Sequence, residues 1–518
     1  MKINYLEKYQ YKVKSISELI EIVGIFPRVK TIILCHGVFD IVHPGHLRHL
    51  SYAKSKADFL IVSVTSDRHI KKGIYRPIVP ENIRALNLAA LEMVDYVIID
   101  DSATPLEEIK LIRPDFFAKG FEYSSSDLPE ATIEEHQILT NYGGKLLFTP
   151  GDLVLSSSNL IEQQAPNLML EKVLSLMQTH KISFLDIENT LSKFKQITVH
   201  VVGDTIVDTL TSTALIGGQI KTPTISVNFL MSKSYVGGAG IVSMHLRSAG
   251  AKVIFTTLLG SDDLAQLVES ELKSAGVVLN KITDPQRPTT QKNVITCGNY
   301  RLIKIDTLDN TPVSNEISTR IRKLIRGTNS DIVIFSDFRH GIFHKQNISD
   351  LASAINTETF KVADSQVASR WGNICDFIGF DLITPNEREA RFSLADQDST
   401  IGPLTGKLYR ASQCKNLILT LGERGLIGLA QQETGAEPLM LSLDSLSLKV
   451  LDPVGAGDAL LAYASLSLKV SGSLPMAALI GNLAAACESE LNGNIPIKSA
   501  DVLAKLKWLK NQMEYEVT

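Results

Sequence analysis

Two short runs in this chain hold residue types whose spacing could do chemistry. The first is Leu451-Asp452-Pro453-Val454-Gly455-Ala456-Gly457-Asp458-Ala459, left through the apolar stretch Leu460-Leu461-Ala462-Tyr463-Ala464. A Gly-Ala-Gly turn that opens a helix leaves backbone N–H groups unpaired at the positive end of the helix dipole. Gly455, Ala456 and Gly457 therefore make an anion cradle suited to a transferring phosphoryl group. Asp458, directly behind them, is placed to accept the proton of a substrate hydroxyl as it attacks a γ-phosphate. Taken alone, a glycine-rich turn followed by an Asp in the first helical turn explains the same residues without any ligand.

The second run is Gly37-Val38-Phe39-Asp40-Ile41-Val42-His43-Pro44-Gly45-His46-Leu47, behind the strand-like Thr31-Ile32-Ile33-Leu34-Cys35. Gly45 lets a triphosphate approach the backbone, and His43 and His46 converge on it from the turn and the helix start. Two imidazoles there can stabilise charge on an α-phosphate as pyrophosphate leaves. An attacking phosphate oxygen is already an anion, so no general base is required. A metal site built on His43, His46 and His49 would need a carboxylate or Cys to complete it. Purely structural histidines are the remaining alternative.

Both runs need αβ scaffolds, and the pattern around them supplies these. Strand-like Phe59-Leu60-Ile61-Val62-Ser63-Val64, helix-like residues 83–93 and strand-like Asp95-Tyr96-Val97-Ile98-Ile99 alternate as in a parallel sheet covered by helices. Ser15-Ile16-Ser17-Glu18 has capping-box spacing and starts a lead-in helix. The breaker Gln163-Gln164-Ala165-Pro166-Asn167 is followed by two helical stripes, Leu170, Val173, Leu174, Met177 and then Phe184, Ile187, Leu191, Phe194. A second αβ region opens at Ile197-Thr198-Val199-His200-Val201-Val202-Gly203-Asp204. The expected division is a first domain over 1–165, a helical junction over 166–195 and a second domain over 196–518.

At 518 residues and 44% hydrophobic composition the chain can bury more than one core. A net charge of −4, with dispersed Lys and Arg, gives no basic field for nucleic acid. The five cysteines are odd in number and lack Cys-x-x-Cys spacing, which fits a reduced, cytoplasmic protein without a zinc site or a disulfide framework. No run approaches the ~18 apolar residues of a membrane span. Small-molecule sugar phosphates and nucleoside triphosphates are the expected partners; self-association is left open.

Residues 15–161 resemble the cytidylyltransferase-like nucleotidyltransferases, and most nearly the heptose 1-phosphate adenylyltransferase domain of bifunctional ADP-heptose synthesis proteins. The likeness rests on the His-x-Gly-His run together with Ser66-Asp67, Lys71-Lys72, Arg76-Pro77, Arg84, Val94-Asp95-Tyr96-Val97, Arg113-Pro114-Asp115 and Lys119-Gly120. It implies a Rossmann-like fold, His43 and His46 as catalytic groups, and Gly37, Phe39, Asp40, Gly45, Lys72 and Arg84 at the nucleotide. Ser157 and Ser158 would close over phosphate, although the family's neighbouring glycine is absent from Val154-Leu155-Ser156-Ser157-Ser158-Asn159.

Residues 196–509 resemble ribokinase-type carbohydrate kinases, in particular the heptose 7-phosphate kinases. The likeness rests on Gly455 to Asp458, Val202-Gly203-Asp204 with Asp208, Gly237-Gly238-Ala239, Arg287-Pro288-Thr289 with Lys292, Ser336-Asp337-Phe338, Thr384-Pro385-Asn386-Glu387 with Glu389, and Thr420-Leu421-Gly422-Glu423-Arg424-Gly425. It implies a ribokinase-like α/β/α fold in which Asp458 is the base and Asp204, Asp208, Gly237, Gly238, Arg287 and Lys292 meet the acceptor. Asn386 and Glu389 would order Mg²⁺, Glu389 through water, and Thr420, Gly422 and Gly425 would frame ATP. Ile241 stands where the family has a sugar-binding Asn, and Ser336-Asp337-Phe338-Arg339-His340-Gly341 replaces Ser-Asp-Tyr-Gly-Lys-Gly.

The resemblance thus implies a kinase acting on D-glycero-D-manno-heptose 7-phosphate joined to a transferase making ADP-heptose for lipopolysaccharide, with the two domains in reversed order. Two rivals stand beside it. One is the same enzyme pair working on another sugar or polyol phosphate, with CTP as donor; the other is an active transferase regulated by a non-catalytic kinase-like domain.

Overall fold

The computed structural model describes residues 8–70, 77–120, 130–148, 169–216, 225–366, 373–432, 438–491 and 493–515. Its contacts divide the chain into two units, one of Met1–Ser175 with Ser399–Pro403 and Glu514–Thr518, the other of Leu176–Asp398 with Leu404–Met513.

In the first unit β1 (Ile32–Gly37), β2 (Phe59–Thr65), β3 (Tyr96–Asp100), β4 (Phe116–Lys119) and β5 (Lys145–Phe148) form one parallel sheet in the order β3-β2-β1-β4-β5. Its strands are apolar on both sides because helices cover both faces. Ile33, Cys35 and Val62 pack with Leu50 and Leu88 of the helices Pro44–Lys54 and Glu81–Ala89. Leu34, Ile61 and Ile98 face the opposite way, onto Leu19, Ile109 and Leu139 of the helices Ile16–Val23, Leu106–Ile112 and Glu130–Tyr142. The connections change face between β1 and β4, which puts a ligand crevice at the carboxyl end of β1, where the Gly37 run begins. The capping box at Ser15 and Glu18 is present. The helix expected over 83–93 runs Glu81–Ala89. Leu91 and Met93 kept the apolar spacing going because, as turn residues, they pack on the same core.

The second unit is built on a nine-stranded sheet. It comprises β6 (Thr198–Gly203), β9 (Lys252–Leu259), β10 (Val278–Thr283), β13 (Ile332–Asp337), β14 (Phe360–Ser365), β15 (Leu382–Ile383), β16 (Asn416–Thr420), β17 (Leu426–Ala430) and β18 (Leu439–Leu443). The order is β10-β9-β6-β13-β14-β15-β16-β17-β18, parallel as far as β16 and antiparallel beyond it. A separate four-stranded sheet holds β7 (Thr205–Leu215), β8 (Val227–Gly238), β11 (Gln291–Cys297) and β12 (Tyr300–Thr307) in the order β12-β11-β7-β8.

The helices Ala456–Ser471 and Leu474–Ser489 are buried along almost their whole length and lie close together. A Cβ on Gly481 would stand 3.1 Å from the Ala464 methyl. The helix Phe184–Lys193 leads into this unit, and the Phe194 ring that follows it meets Tyr463 edge-on at 6.1 Å.

Candidate active sites

In the second unit the helix Ala456–Ser471 starts from Gly455, whose φ of +92° is left-handed. Any side chain there would also collide with Asn494 Oδ1 and Glu488 Oε1, at 2.6 and 2.8 Å from a Cβ. Glycine at this position lets the helix N-terminus open onto a cavity of about 500 Å³. Asp208, Gly238, Lys292, Asn386, Glu389, Thr420, Gly422, Gly425, Gly455, Ala456, Gly457 and Asp458 all line it, so one cavity gathers most of what the sequence scattered over more than 250 positions.

The cavity is crowded with buried and half-buried carboxyl groups. Asp458, half-buried on its wall, is raised well above the ordinary carboxylate range by desolvation, then by Asp364, Asp208 and Glu488, with Lys292 opposing. Burial, then Asp364, pushes Glu389 up to about 8, and burial pushes Asp364 to about 7. A bound cation would favour the charged form of these carboxyls. Their donor set, oxygen only, suits Mg²⁺, so the residues present fit that ion. Asn386 and Glu389 hold each other in a capping box, with Asn386 Nδ2 donating to Glu389 Oε1 at 2.6 Å. Lys292 is lowered by burial and raised by Asp208, which lies on the neighbouring strand in direct register with it.

Three acceptor-side expectations change. Asp204 is buried, and its carboxylate accepts the backbone N–H groups of Phe338, His340 and Ile342 at 3.0, 3.1 and 3.3 Å, so it ties a loop and does not face a sugar. Arg287 donates to Asp284, the Asp309 and Pro312 carbonyls and Thr311 Oγ1, which commits it to its own loops. Gly237 is off the cavity wall and makes room for Asp208, whose Oδ2 would lie 2.1 Å from a Cβ there. Ile241 is fully buried in the core.

Asp364 and Asn494 line the cavity without having been singled out as site residues. Asp364 carried a usable signal: an Asp near the carboxyl end of an apolar parallel strand faces the edge where such sheets bind ligands.

In the first unit His43 caps the helix Pro44–Lys54, its Nδ1 accepting the Gly45 N–H at 3.1 Å. The His43 and His46 rings stack at 3.9 Å, and Phe39 stands edge-on to His46 at 5.0 Å. Burial, then the imidazoles of His43 and His49, pushes His46 down to about 4; His43 is lowered by burial and Arg48. Both rings are therefore neutral near pH 7 until an anion arrives to favour the charged form.

Other residues expected at the nucleotide serve as scaffold. Asp40 is buried and takes the N–H groups of Ile78 and Val79 at 2.9 and 2.8 Å. Arg84 is fully buried, donating to the carbonyls of Val79, Val38 and Thr65 and to Asp67, so its guanidinium braces the loops and does not reach for phosphate. Phe39 has a left-handed φ of +48°, and Gly37 leaves space for its ring, 3.2 Å from where a Cβ would be. Lys72, Ser157 and Ser158 lie outside the described residues.

Comparison with known proteins agrees with this geometry. Residues 198–497 match the pfkB family carbohydrate kinases, and residues 34–163 match the cytidylyltransferase-like family. Among curated relatives, the "Bifunctional protein HldE" of Syntrophotalea carbinolica is 39% identical over 140 residues, covering 26% of this chain and 27% of that protein. The protein of the same name from Bradyrhizobium diazoefficiens is 25% identical over 332 residues, covering 62% and 65%. The chain thus spans from about a quarter to just under two thirds of these relatives' lengths. Crystal structures of phosphofructokinase-2 from Escherichia coli, in complex with potassium and with fructose-6-phosphate, share the fold of the second unit. They are 16% and 14% identical with TM-scores of 0.51 and 0.50, each covering 61% of this chain and 99% of the other.

Proposed function

For a chain that belongs to the pfkB family of carbohydrate kinases and carries a cytidylyltransferase-like unit ahead of the kinase, we propose a bifunctional role in sugar-nucleotide synthesis. The kinase phosphorylates D-glycero-D-manno-heptose 7-phosphate with ATP. The transferase joins a heptose 1-phosphate to AMP, making ADP-heptose for lipopolysaccharide and releasing pyrophosphate. The observation that carries this reading is the cavity in which the Gly455 to Gly457 cradle, Asp458, Lys292 and the Thr420 to Gly425 frame come together. The curated relatives' shared name supports the pairing of the two units.

In the kinase, the acceptor hydroxyl attacks the γ-phosphorus while its proton passes to Asp458, the bond to ADP breaks, and the cradle N–H groups hold the transferring oxygens. Mg²⁺, when bound, neutralises phosphate charge; Asp364 and, through water, Glu389 would hold it. Lys292 and Asp208 position the acceptor. In the transferase, a sugar-phosphate oxygen attacks the α-phosphorus of ATP and pyrophosphate leaves, with His43 and His46 donating to the developing charge.

No helix among the described residues is long and apolar enough to cross a membrane. A cytoplasmic setting is part of the proposal. So is a second copy as partner, because β7, β8 and β12 expose Leu210, Phe229, Met231 and Ile303. The test is product analysis with a panel of sugar phosphates and with ATP and CTP compared side by side. ADP formation only with heptose 7-phosphate, and pyrophosphate release only with ATP and heptose 1-phosphate, are expected. CTP-driven release or another acceptor would replace the substrate assignment, and an inert kinase unit would make it regulatory.

A further inference from the structure

A third cluster lies under the same sheet edge as His43 and His46 but on its other face. His36 alternates with Cys35 along β1 and so shares the side of Leu34, and Glu108 comes from the helix Leu106–Ile112 that covers that side. Asp100 closes β3. His36 Nδ1 stands 3.8 Å from Asp100 Oδ2 and 3.9 Å from Glu108 Oε2, and one donor atom from each residue fits within 4.8 Å of the others.

The two carboxylates are almost wholly buried, Asp100 2% and Glu108 0% exposed, and are incompletely satisfied. Asp100 Oδ1 accepts the Ser102 N–H at 2.8 Å, but Oδ2, the atom facing His36, has no hydrogen-bond partner. Glu108 Oε2 accepts from Ser63 Oγ at 2.5 Å, while Oε1 has none. The neighbouring basic side chains bond to other groups: Lys119 pairs with Glu135 and Thr132, and His69 bonds the Asp101 carbonyl. A buried carboxylate pair beside an imidazole, with Asp100 Oδ2 facing the ring unpartnered and Glu108 Oε1 also unpartnered, is costly unless a proton or a cation neutralises it.

We propose that His36, Asp100 and Glu108 form a binding site for one divalent first-row transition cation, held by an imidazole nitrogen and two carboxylate oxygens. Bonds of ~2.1 Å to such an ion set donors roughly 3.4 Å apart, so the observed spacings need to close by only a few tenths of an ångström around His36. Nitrogen among the donors favours Zn²⁺, Co²⁺ or Mn²⁺ over Mg²⁺. The second shell is in place. His36 Nδ1 lies 2.8 Å from Ser63 Oγ, a contact that an ion would have to displace; Thr65 Oγ1, 3.2 Å from His36 Nε2, can then accept the ring's N–H while Ser63 keeps its bond to Glu108. The site is separate from the kinase cavity, whose donors are all oxygen.

The test uses the full-length protein with Co²⁺ as probe and excess Mg²⁺ to occupy oxygen-only sites. Wild type should bind one Co²⁺ with visible d–d absorption of a nitrogen-containing site, and Co²⁺ should raise its melting temperature. Glu108→Gln, close to isosteric and still able to accept from Ser63, should weaken binding more than tenfold and abolish the thermal shift. Asp100→Asn should do the same and serves if the first variant does not fold. Wild type without the absorption, or either folded variant binding Co²⁺ as wild type does, would overturn the proposal.

Discussion

The two catalytic regions are prepared for their ligands with opposite signs. The kinase cavity gathers Asp208, Asp364, Glu389, Asp458 and Lys292, and burial first, then neighbouring carboxylates, raises these carboxyls. The transferase turn stacks His43 on His46, and burial lowers both imidazoles. In the proposed kinase cavity the raised carboxyls tend to hold protons near neutral pH, and a bound cation would favour their charged form. In the proposed transferase turn the lowered imidazoles stay uncharged, and a bound anion would favour their charged form. The comparison teaches that a motif's residues indicate which chemistry is intended, whereas the environment sets the state in which it waits.

The strongest test of that contrast is Asp458→Asn, which keeps size and cradle but removes the base. Kinase turnover, followed as ADP production, should fall about a hundredfold or more, and pyrophosphate release should be unchanged. Loss of both activities in a folded protein would show that the regions are not independent.

His46→Ala is the mirror experiment. It should cut pyrophosphate release by roughly a hundredfold to a thousandfold while ADP production and melting temperature hold. A collapse in stability would instead mark the ring as packing.

Ile241→Asn sharpens the kinase side. Restoring the side chain other sugar kinases use there invites an expectation of better heptose phosphorylation, but this residue has 0% exposure. A buried amide without a partner, plus the lost methyls, should cost about 3 kcal/mol and lower the melting temperature without improving turnover.

The smallest effect expected is on pH dependence. Burial pushes Glu389 up to about 8 and Asp364 to about 7, so these carboxyls gain protons as pH falls through that range and kinase kcat/KM should decline there, by up to about tenfold per unit. His46, lowered to about 4, stays neutral over the same range, so the transferase should show no loss from this group down to about pH 5. Parallel profiles for the two activities would erase the contrast.

Much of this was legible in the chain. Gly455 to Asp458 and His43 to His46 stand out because backbone freedom and short spacing are local properties, and the αβ alternation follows from apolar periodicity. Asp40, Asp204, Arg84 and Arg287 misled because a charged residue beside a motif looks the same whether it faces a ligand or ties a loop. What separates the two is burial and nearby backbone N–H or carbonyl groups from distant segments, such as Ile342 for Asp204. His36 went unread for the converse reason, since it lies near the end of an ordinary-looking strand and becomes chemical only beside residues from other elements. The sheet of β7, β8, β11 and β12 was likewise not foreseen, because it joins two hairpins, β7-β8 and β11-β12, that lie some fifty residues apart in the chain.

The edge contact of Phe194 with Tyr463 bears on how the protein can be dissected. Phe194 is fully buried, and Tyr463 lies two turns below the cradle on the helix that carries Asp458, its hydroxyl donating to the Ile497 carbonyl at 2.9 Å. Truncation at 196 would therefore remove a core ring and leave a hole against that helix, a loss of about 3–5 kcal/mol by analogy with Phe→Ala changes. A kinase fragment that reports faithfully on the intact enzyme has to begin ahead of Phe184, because the segment leading into the domain is part of the footing on which its catalytic helix stands.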